Sequence, residues 1–192
     1  DRSPVDIVRI ATKASDIDKC AEIAEMLNHL GYRVFINIMQ IDSIEKDEIS
    51  KLSKKIASWL TIEVLYFADS FGNMNPKSVV DVMKVIKRGW DGPIGIHTHD
   101  NKGLALLNCI EAIKSGVKWI DATIQGMGRG AGNIQTEIFL AEIDSLKNNK
   151  YNLEPIYRLS EGFFLNLKKK YNWGKSLNYY LAAEYNIHPT YI

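Results

Sequence analysis

Two histidines at alternate positions, His97 and His99, carry the most specific chemical signal in this 192-residue chain. They lie in Gly92-Pro93-Ile94-Gly95-Ile96-His97-Thr98-His99-Asp100-Asn101, an apolar run that reads as a β-strand opening into a polar mouth. A strand sends alternate side chains to opposite faces, so the two imidazoles share one face while Ile94, Ile96 and Thr98 take the other. Paired neutral imidazoles at a strand end form half of a divalent-metal site. The competing reading is two histidines with separate packing or hydrogen-bonding roles. A second chemical stretch is Gly126-Met127-Gly128-Arg129-Gly130-Ala131-Gly132-Asn133. Its Gly126-x-Gly128-x-x-Ala131 spacing formally fits a dinucleotide fingerprint, but no further strand follows to carry the acidic residue such a site requires. These glycines, Gly128 and Gly130 among them, are better suited to turning backbone N–H groups toward a carboxylate or phosphate at a helix N-terminus. Asn133 either caps that helix or reaches the metal.

The elements that must position these residues repeat as strand and helix, about 30 residues per unit. Ile7–Ala11, Val34–Met39, Ile62–Ala68, the histidine strand and Trp119–Ile124 are short and apolar, as buried strands are. Ser15 is placed to cap a first helix with its apolar face on Ile17, Cys20, Ala21, Ala24, Leu27 and Leu30. Ser43 opens a second helix with Ile44, Ile49, Leu52, Ile56 and Leu60, and Asn75-Pro76 starts a third with proline at the first helical position. Leu104–Ser115 and a helix ending near Leu146 complete the five units. Near-continuous apolar strands alternating with amphipathic helices predict a parallel sheet covered by helices, either an open doubly wound sheet or part of a (β/α)8 barrel. A whole barrel takes about 250 residues, so five units make up only part of one. The polar residues favour the barrel, because Asp69, His97, His99, Asp121, Thr123 and the glycine loop all fall on or just past strand C-termini. Arg9 and Asn37 add polarity to the face a barrel turns inward, and Arg9 and Asp121 could pair there.

Residues 148–192 change character. Asn148–Asn152 reads as a polar linker, Pro155–Tyr171 as a helix, and Trp173–Tyr180 opens another that ends near Tyr185. The expected division is therefore a partial barrel domain at 1–147 and a helical C-terminal extension at 148–192, packed across one end or used in dimerisation. Lys168-Lys169-Lys170 reads as a solvated helix face. A formal net charge of +1 leaves no basic excess to neutralise phosphates, which argues against a nucleic-acid surface. No apolar run reaches the length of a membrane span, and no secretory signal is visible. Cys20 and Cys109 lack metal-ligand spacing, so a reduced, cytoplasmic protein is expected. Asp1-Arg2-Ser3-Pro4 reads like the middle of a loop, with the true N-terminus expected upstream.

From His97 to Glu137 the sequence resembles the DRE-TIM metallolyase (HMG-CoA-lyase-like) superfamily, closest to its 4-hydroxy-2-oxovalerate aldolase family. The shared elements are H-x-H-[DN]-N-x-G-L-A, an N-x-x-x-A-I-x-x-G helix, and I-D-A-T-I-x-G-M-G-x-G-A-G-N. Val8–Thr12 and Asp69–Gly72 resemble strand ends of the same family. The resemblance implies that the five units are barrel strands four to eight, and that His97 and His99 ligate Mn²⁺ or Mg²⁺. It also implies a third ligand, an aspartate of an R-D-G motif on the first strand, a motif this sequence does not contain. The expected activity is metal-dependent cleavage or formation of a C–C bond in a 4-hydroxy-2-oxo acid through a pyruvate enolate. Gly128, Gly130, Asn133 and Asn37 are then expected to bind substrate, with Arg9, Asp69 and Tyr171 as catalytic candidates inside the chain and the principal catalytic groups upstream of Asp1. A homo-oligomer, and an aldehyde dehydrogenase as possible partner, follow from the same resemblance. The alternatives are a Claisen-type acyl-CoA transferase of the same superfamily, whose loop would read G-E-R-A-G-N, and a non-catalytic barrel fragment.

Overall fold

A computed structural model describes residues 4–146 and 151–192. The proposed boundary at 147/148, most of the linker and the first three residues lie outside the described residues. Five strands form one parallel sheet: β1 (Ile7–Thr12), β2 (Arg33–Ile38), β3 (Ile62–Asp69), β4 (Ile94–Thr98) and β5 (Trp119–Ile120). Their spatial order is β1-β2-β3-β4-β5, every pairing parallel. A doubly wound sheet reverses direction at a switch point. This sheet never reverses, which removes that alternative and leaves a barrel-like wall.

The intervening helices are α1 (Asp18–His29), α2 (Lys46–Ala57), α3 (Pro76–Ile86), α4 (Ala105–Lys114) and α5 (Thr136–Leu146). They cover the sheet face that carries Val34, Ile36, Ile38, Leu65, Phe67, Ile94 and Ile96. Burying each such side chain contributes roughly 1.5–3 kcal/mol, so this layer is the main source of stability. The opposite face has its own small apolar layer of Phe35, Val64 and Tyr66, with Ile7 and Trp119 packed on it. Arg9, Asn37 and His97 share that face, because register pairs Arg9 with Phe35, Asn37 with Tyr66, and His97 with Ala68. Gly95 pairs with Tyr66, and a Cβ at that glycine would lie 2.4 Å from the tyrosine ring. The missing side chain lets the ring lie flat across the sheet, where the Arg9 guanidinium stacks 4.5 Å from its centre.

Several local expectations are corrected. Ser15 lies inside a 3₁₀ turn (Ala14–Asp16) and contacts the Asp16 carboxylate, so α1 starts later, at Asp18, without a side-chain cap. Ser43 likewise ends a 3₁₀ turn (Ile41–Ser43), because buried Ile41 anchors the chain there and Ile44 is extended; α2 starts at Lys46. Leu30 and Leu60 follow their helices' ends and are exposed instead of joining the apolar faces. The third helix is as expected, with a reciprocal Asn75–Ser78 capping box ahead of Pro76. The fifth strand pairs only at Trp119–Ile120, because Thr123 turns away to bond with Ile134 and Thr136 on the returning loop.

Beyond the sheet, α6 (Glu154–Leu159) runs through a π turn into α7 (Leu165–Tyr171), followed by α8 (Leu177–Glu184) and a 3₁₀ turn at Pro189–Tyr191. Ser176 caps α8 by accepting the Tyr179 N–H. This segment lies against the loops that follow the strands: Lys175 pairs with Asp100 at 2.6 Å, Lys102 with Glu184 at 2.5 Å, and Trp173 Nε1 donates to the Gln125 carbonyl. Of the lysine run, Lys169 and Lys170 are exposed but Lys168 is half-buried and reaches Gln125 Oε1. No helix among the described residues is long and apolar enough to cross a membrane.

Candidate metal centre

The histidine strand, the fifth strand and the glycine loop converge where the strands end. Pleat alternation sends both imidazoles to the inner face, and their ring centres lie 5.2 Å apart. His97 Nδ1 contacts Asp121 Oδ2 at 2.7 Å. Asp121 accepts in turn from both terminal nitrogens of Arg9, at 2.8 and 2.7 Å. The paired guanidinium and imidazole overcome the cost of burial and hold the Asp121 carboxyl at about 2, so it is ionised. An ionised acceptor favours a proton on His97 Nδ1, which leaves Nε2 as the nitrogen available to a metal ion.

His99 is buried, and its Nδ1 has no hydrogen-bond partner. Burial first, then the His97 and Arg129 charges, push its pKa down to about 3. His99 therefore stays neutral, the form that ligates metals. The Asn133 amide nitrogen lies 3.2 Å from His97 Nε2 and donates to the Thr98 carbonyl at 3.0 Å. Since α5 begins only at Thr136, Asn133 reaches the histidines instead of capping the helix.

The glycine loop brings Asn133 there by compression. Gly132 has φ of +81°, and a Cβ on it would lie 1.8 Å from the Gly126 carbonyl oxygen. At Gly128 a Cβ would lie 2.4 Å from Asn133 Oδ1. Gly132 O accepts from Asp100 N and Gly126 O from Asn133 N, which ties the loop to the end of the histidine strand. Behind it, the Glu137 carboxylate accepts from Gln125 N and Ser160 Oγ, and Gln125 Nε2 donates to Ser160. Gln125 has φ of +54°, and this network holds it in that left-handed conformation.

The remaining candidates separate. Asn37 is buried on the inner face of β2 and its Oδ1 has no partner. Asp69 pairs in register with Thr98, which puts it on the face opposite His97. Its Oδ1 accepts from the N–H groups of Asn73 and Met74, so it organises the loop after β3. Burial, aided by the Asp42 charge, pushes its pKa up to about 7. Tyr171 is exposed at the end of α7, with Lys170 over its ring and no contact to the histidines. Asp121 as the partner of His97 was not foreseen, although an aspartate ending the strand beside an H-x-H strand is the signal that could have shown it. Among the described residues, no group of three or more His, Cys, Asp or Glu side chains is placed to hold a metal ion.

Residues 6–162 match the HMGL-like family. The chain is 33% identical over 142 residues to 4-hydroxy-2-oxovalerate aldolase of Geobacillus genomosp. 3, covering 74% of this chain and 42% of that protein. It is 32% identical to the protein of the same name from Pelotomaculum thermopropionicum, covering 72% and 41%. The structure superposes on the N-terminal domain of a candidate aldolase from Bacteroides vulgatus with a TM-score of 0.90 and 34% identity, over 97% of this chain and 62% of that one. The HMG-CoA lyase of Brucella melitensis shares the fold, with a TM-score of 0.76 and 15% identity over 85% of this chain and 67% of that one. The chain thus spans about two fifths of the length of the curated relatives it matches. The five-stranded parallel wall is accordingly part of a TIM-barrel-like fold, and the chain belongs to the HMGL-like family, the DRE-TIM metallolyases.

Proposed function

We propose that this chain is the part of a class II aldolase, strands four to eight of its barrel with a helical extension at 148–192, in which His97 and His99 hold a divalent ion, Mn²⁺ or Mg²⁺. The observation that carries the proposal is the contact of His97 Nδ1 with an Asp121 held by Arg9, beside a buried His99 Nδ1 that has no hydrogen-bond partner. The proposed reaction is cleavage or formation of the C3–C4 bond of a 4-hydroxy-2-oxo acid, as the names of the curated relatives suggest. When bound, the ion would supply the Lewis acidity that stabilises negative charge on the pyruvyl half as that bond breaks. Asn133, with Gly128 and Gly130 beside it and Asn37 below, lines the place where the 2-oxo acid would lie. Arg9 is paired with Asp121 and acts here as a positioning residue for His97.

The full polypeptide that contains this chain tests the reading. Pyruvate release from 4-hydroxy-2-oxo acids is expected to require added Mn²⁺ or Mg²⁺, and His99→Ala is expected to lower Mn²⁺ affinity measured by calorimetry. No pyruvate from any such acid would overturn the reading. Acetyl-CoA-dependent condensation in its place would assign the Claisen alternative.

A further inference from the structure

Beside the candidate metal centre, a cavity of about 400 Å³ opens between the ends of β1 to β3, the glycine loop and the C-terminal 3₁₀ turn. Lys13, Arg129, His188, Ser70, Thr190 and Tyr191 are among its lining residues, and no acidic side chain among the described residues lines it. Lys13 follows directly on Thr12 at the end of β1, and Arg129 is the only charged side chain of the glycine loop. Among the described residues, neither Lys13 nor Arg129 forms an ion pair: the nearest acid to Lys13 along the chain, Asp16, is paired with Lys19 at 2.7 Å.

Arg129 is held by a neutral group. Its Nη1 lies 2.6 Å from His188 Nε2, so the guanidinium donates and the imidazole accepts. The His188 pKa is lowered by burial and by the Arg129 and Lys13 charges, in keeping with a neutral acceptor. The turn that carries His188 is seated on the loop, since a Cβ at Gly130 would lie 3.0 Å from Pro189 Cβ. Arg129 also belongs to the loop that carries Asn133 to His97, its carbonyl accepting from Gly132 N at 3.1 Å. Two cations that form no ion pair among the described residues, lining one concave space beside the candidate metal centre, suit an anionic group.

We infer that this cavity receives an anionic group on the acceptor half of the substrate, a carboxylate or a phosphate carried by the aldehyde that is joined to, or released from, pyruvate. The inference rests on the aldolase reading above and narrows its substrate class to 4-hydroxy-2-oxo acids with a second anion at the far end. In the synthetic direction, C3 of pyruvate loses a proton and bonds to the aldehyde carbon. The aldehyde oxygen takes up a proton and becomes the 4-hydroxyl. Lys13 and Arg129 bind the distant anion throughout and take no part in the proton transfers.

Two measurements on the full polypeptide test this. Calorimetric titration with inorganic phosphate and with malonate is expected to show binding that weakens about 10-fold or more in Lys13→Met and in Arg129→Met, the size of a lost charge-assisted hydrogen bond. Turnover with pyruvate is then compared for propanal, 4-oxobutanoate, glyceraldehyde and glyceraldehyde 3-phosphate. The ratio of kcat/KM for the anionic aldehyde over its neutral counterpart is expected to exceed 10 and to fall about 10-fold in Lys13→Met. Preference for 4-oxobutanoate assigns a carboxylate, and preference for the phosphorylated aldehyde a phosphate. Anion binding that depends on Lys13 and Arg129, with no aldehyde turned over, would uphold the site and overturn the aldolase reading. Neutral aldehydes used as well as anionic ones, with no binding of phosphate or malonate, would overturn the site.

Discussion

Asp121 holds together the arrangement around His97 on which the proposed metal site depends, and Asp121→Asn is the most informative single change. The substitution keeps the shape of the side chain and removes its charge. Arg9, whose side chain is 32% exposed, then stays against the Tyr66 ring without a carboxylate, and His97 Nδ1 loses an ionised acceptor. Breaking a fully buried pair costs about 3–5 kcal/mol and an exposed one about 0–1, so a pair this accessible falls between. The Asp121 pKa agrees: about 2 in the fold against an ordinary 3.8 corresponds to roughly 2 kcal/mol, an upper figure given the solvent that reaches the pair. Because the pKa is depressed, this contribution is fully present above pH 4 and is lost as the pH falls toward 2. At pH 7, in chelator, Asp121→Asn should lose about 1–2 kcal/mol in urea unfolding, or about 2–8 °C in Tm for a domain of this size. An Arg9→Met, Asp121→Asn cycle should return most of that loss as coupling energy. Mn²⁺ affinity should fall about 10- to 100-fold, as for other partners that orient a metal-binding histidine. Equal midpoints for variant and parent at pH 7, or unchanged Mn²⁺ affinity, would refute the argument that Asp121 orients His97.

Two further changes probe other parts of the same structure. Gly132→Ala places a methyl group 1.8 Å from the Gly126 carbonyl at a φ of +81°, so the loop must open; a loss of about 2 kcal/mol or more and weaker Mn²⁺ binding through displaced Asn133 are expected, and a neutral outcome in both unfolding and calorimetry would show that the loop is not tightly folded. Asp69 has the opposite pH dependence from Asp121: its pKa is raised to about 7, so the fold binds the proton better than the unfolded chain and stability falls as pH rises from about 4 to 7. Asp69→Asn should remove that slope and be the more stable protein at pH 8, whereas parallel pH–stability curves for the two proteins would contradict it.

The five strand–helix units, the shared face of His97 and His99, and the capped start of α3 were legible because each depends on a local period or on neighbours a few residues apart. Leu30 and Leu60 were misassigned because hydrophobic periodicity continues past a helix end while the backbone does not. Ser15 and Ser43 illustrate the same limit, since a good capping residue competes with the tight turns that surrounding packing selects.

By itself the sequence determined the alternation of buried strands and covering helices, the two imidazoles on one face, and a glycine-rich turn after the fifth strand, all properties of a residue and its near neighbours. Only the tertiary structure decided which partners those residues meet. Arg9 and Asp121 are 112 positions apart, His97 and Asn133 are 36, and Arg129 and His188 are 59. Arg9 on one edge strand meets Asp121, which follows the other, across the inner face of the sheet; the glycine loop carries Asn133 back to His97, and the C-terminal turn brings His188 to Arg129. Spacing along the chain carries no record of such meetings, because they depend on how whole elements pack, and that is set by the apolar faces of the sheet and not by the polar residues that meet.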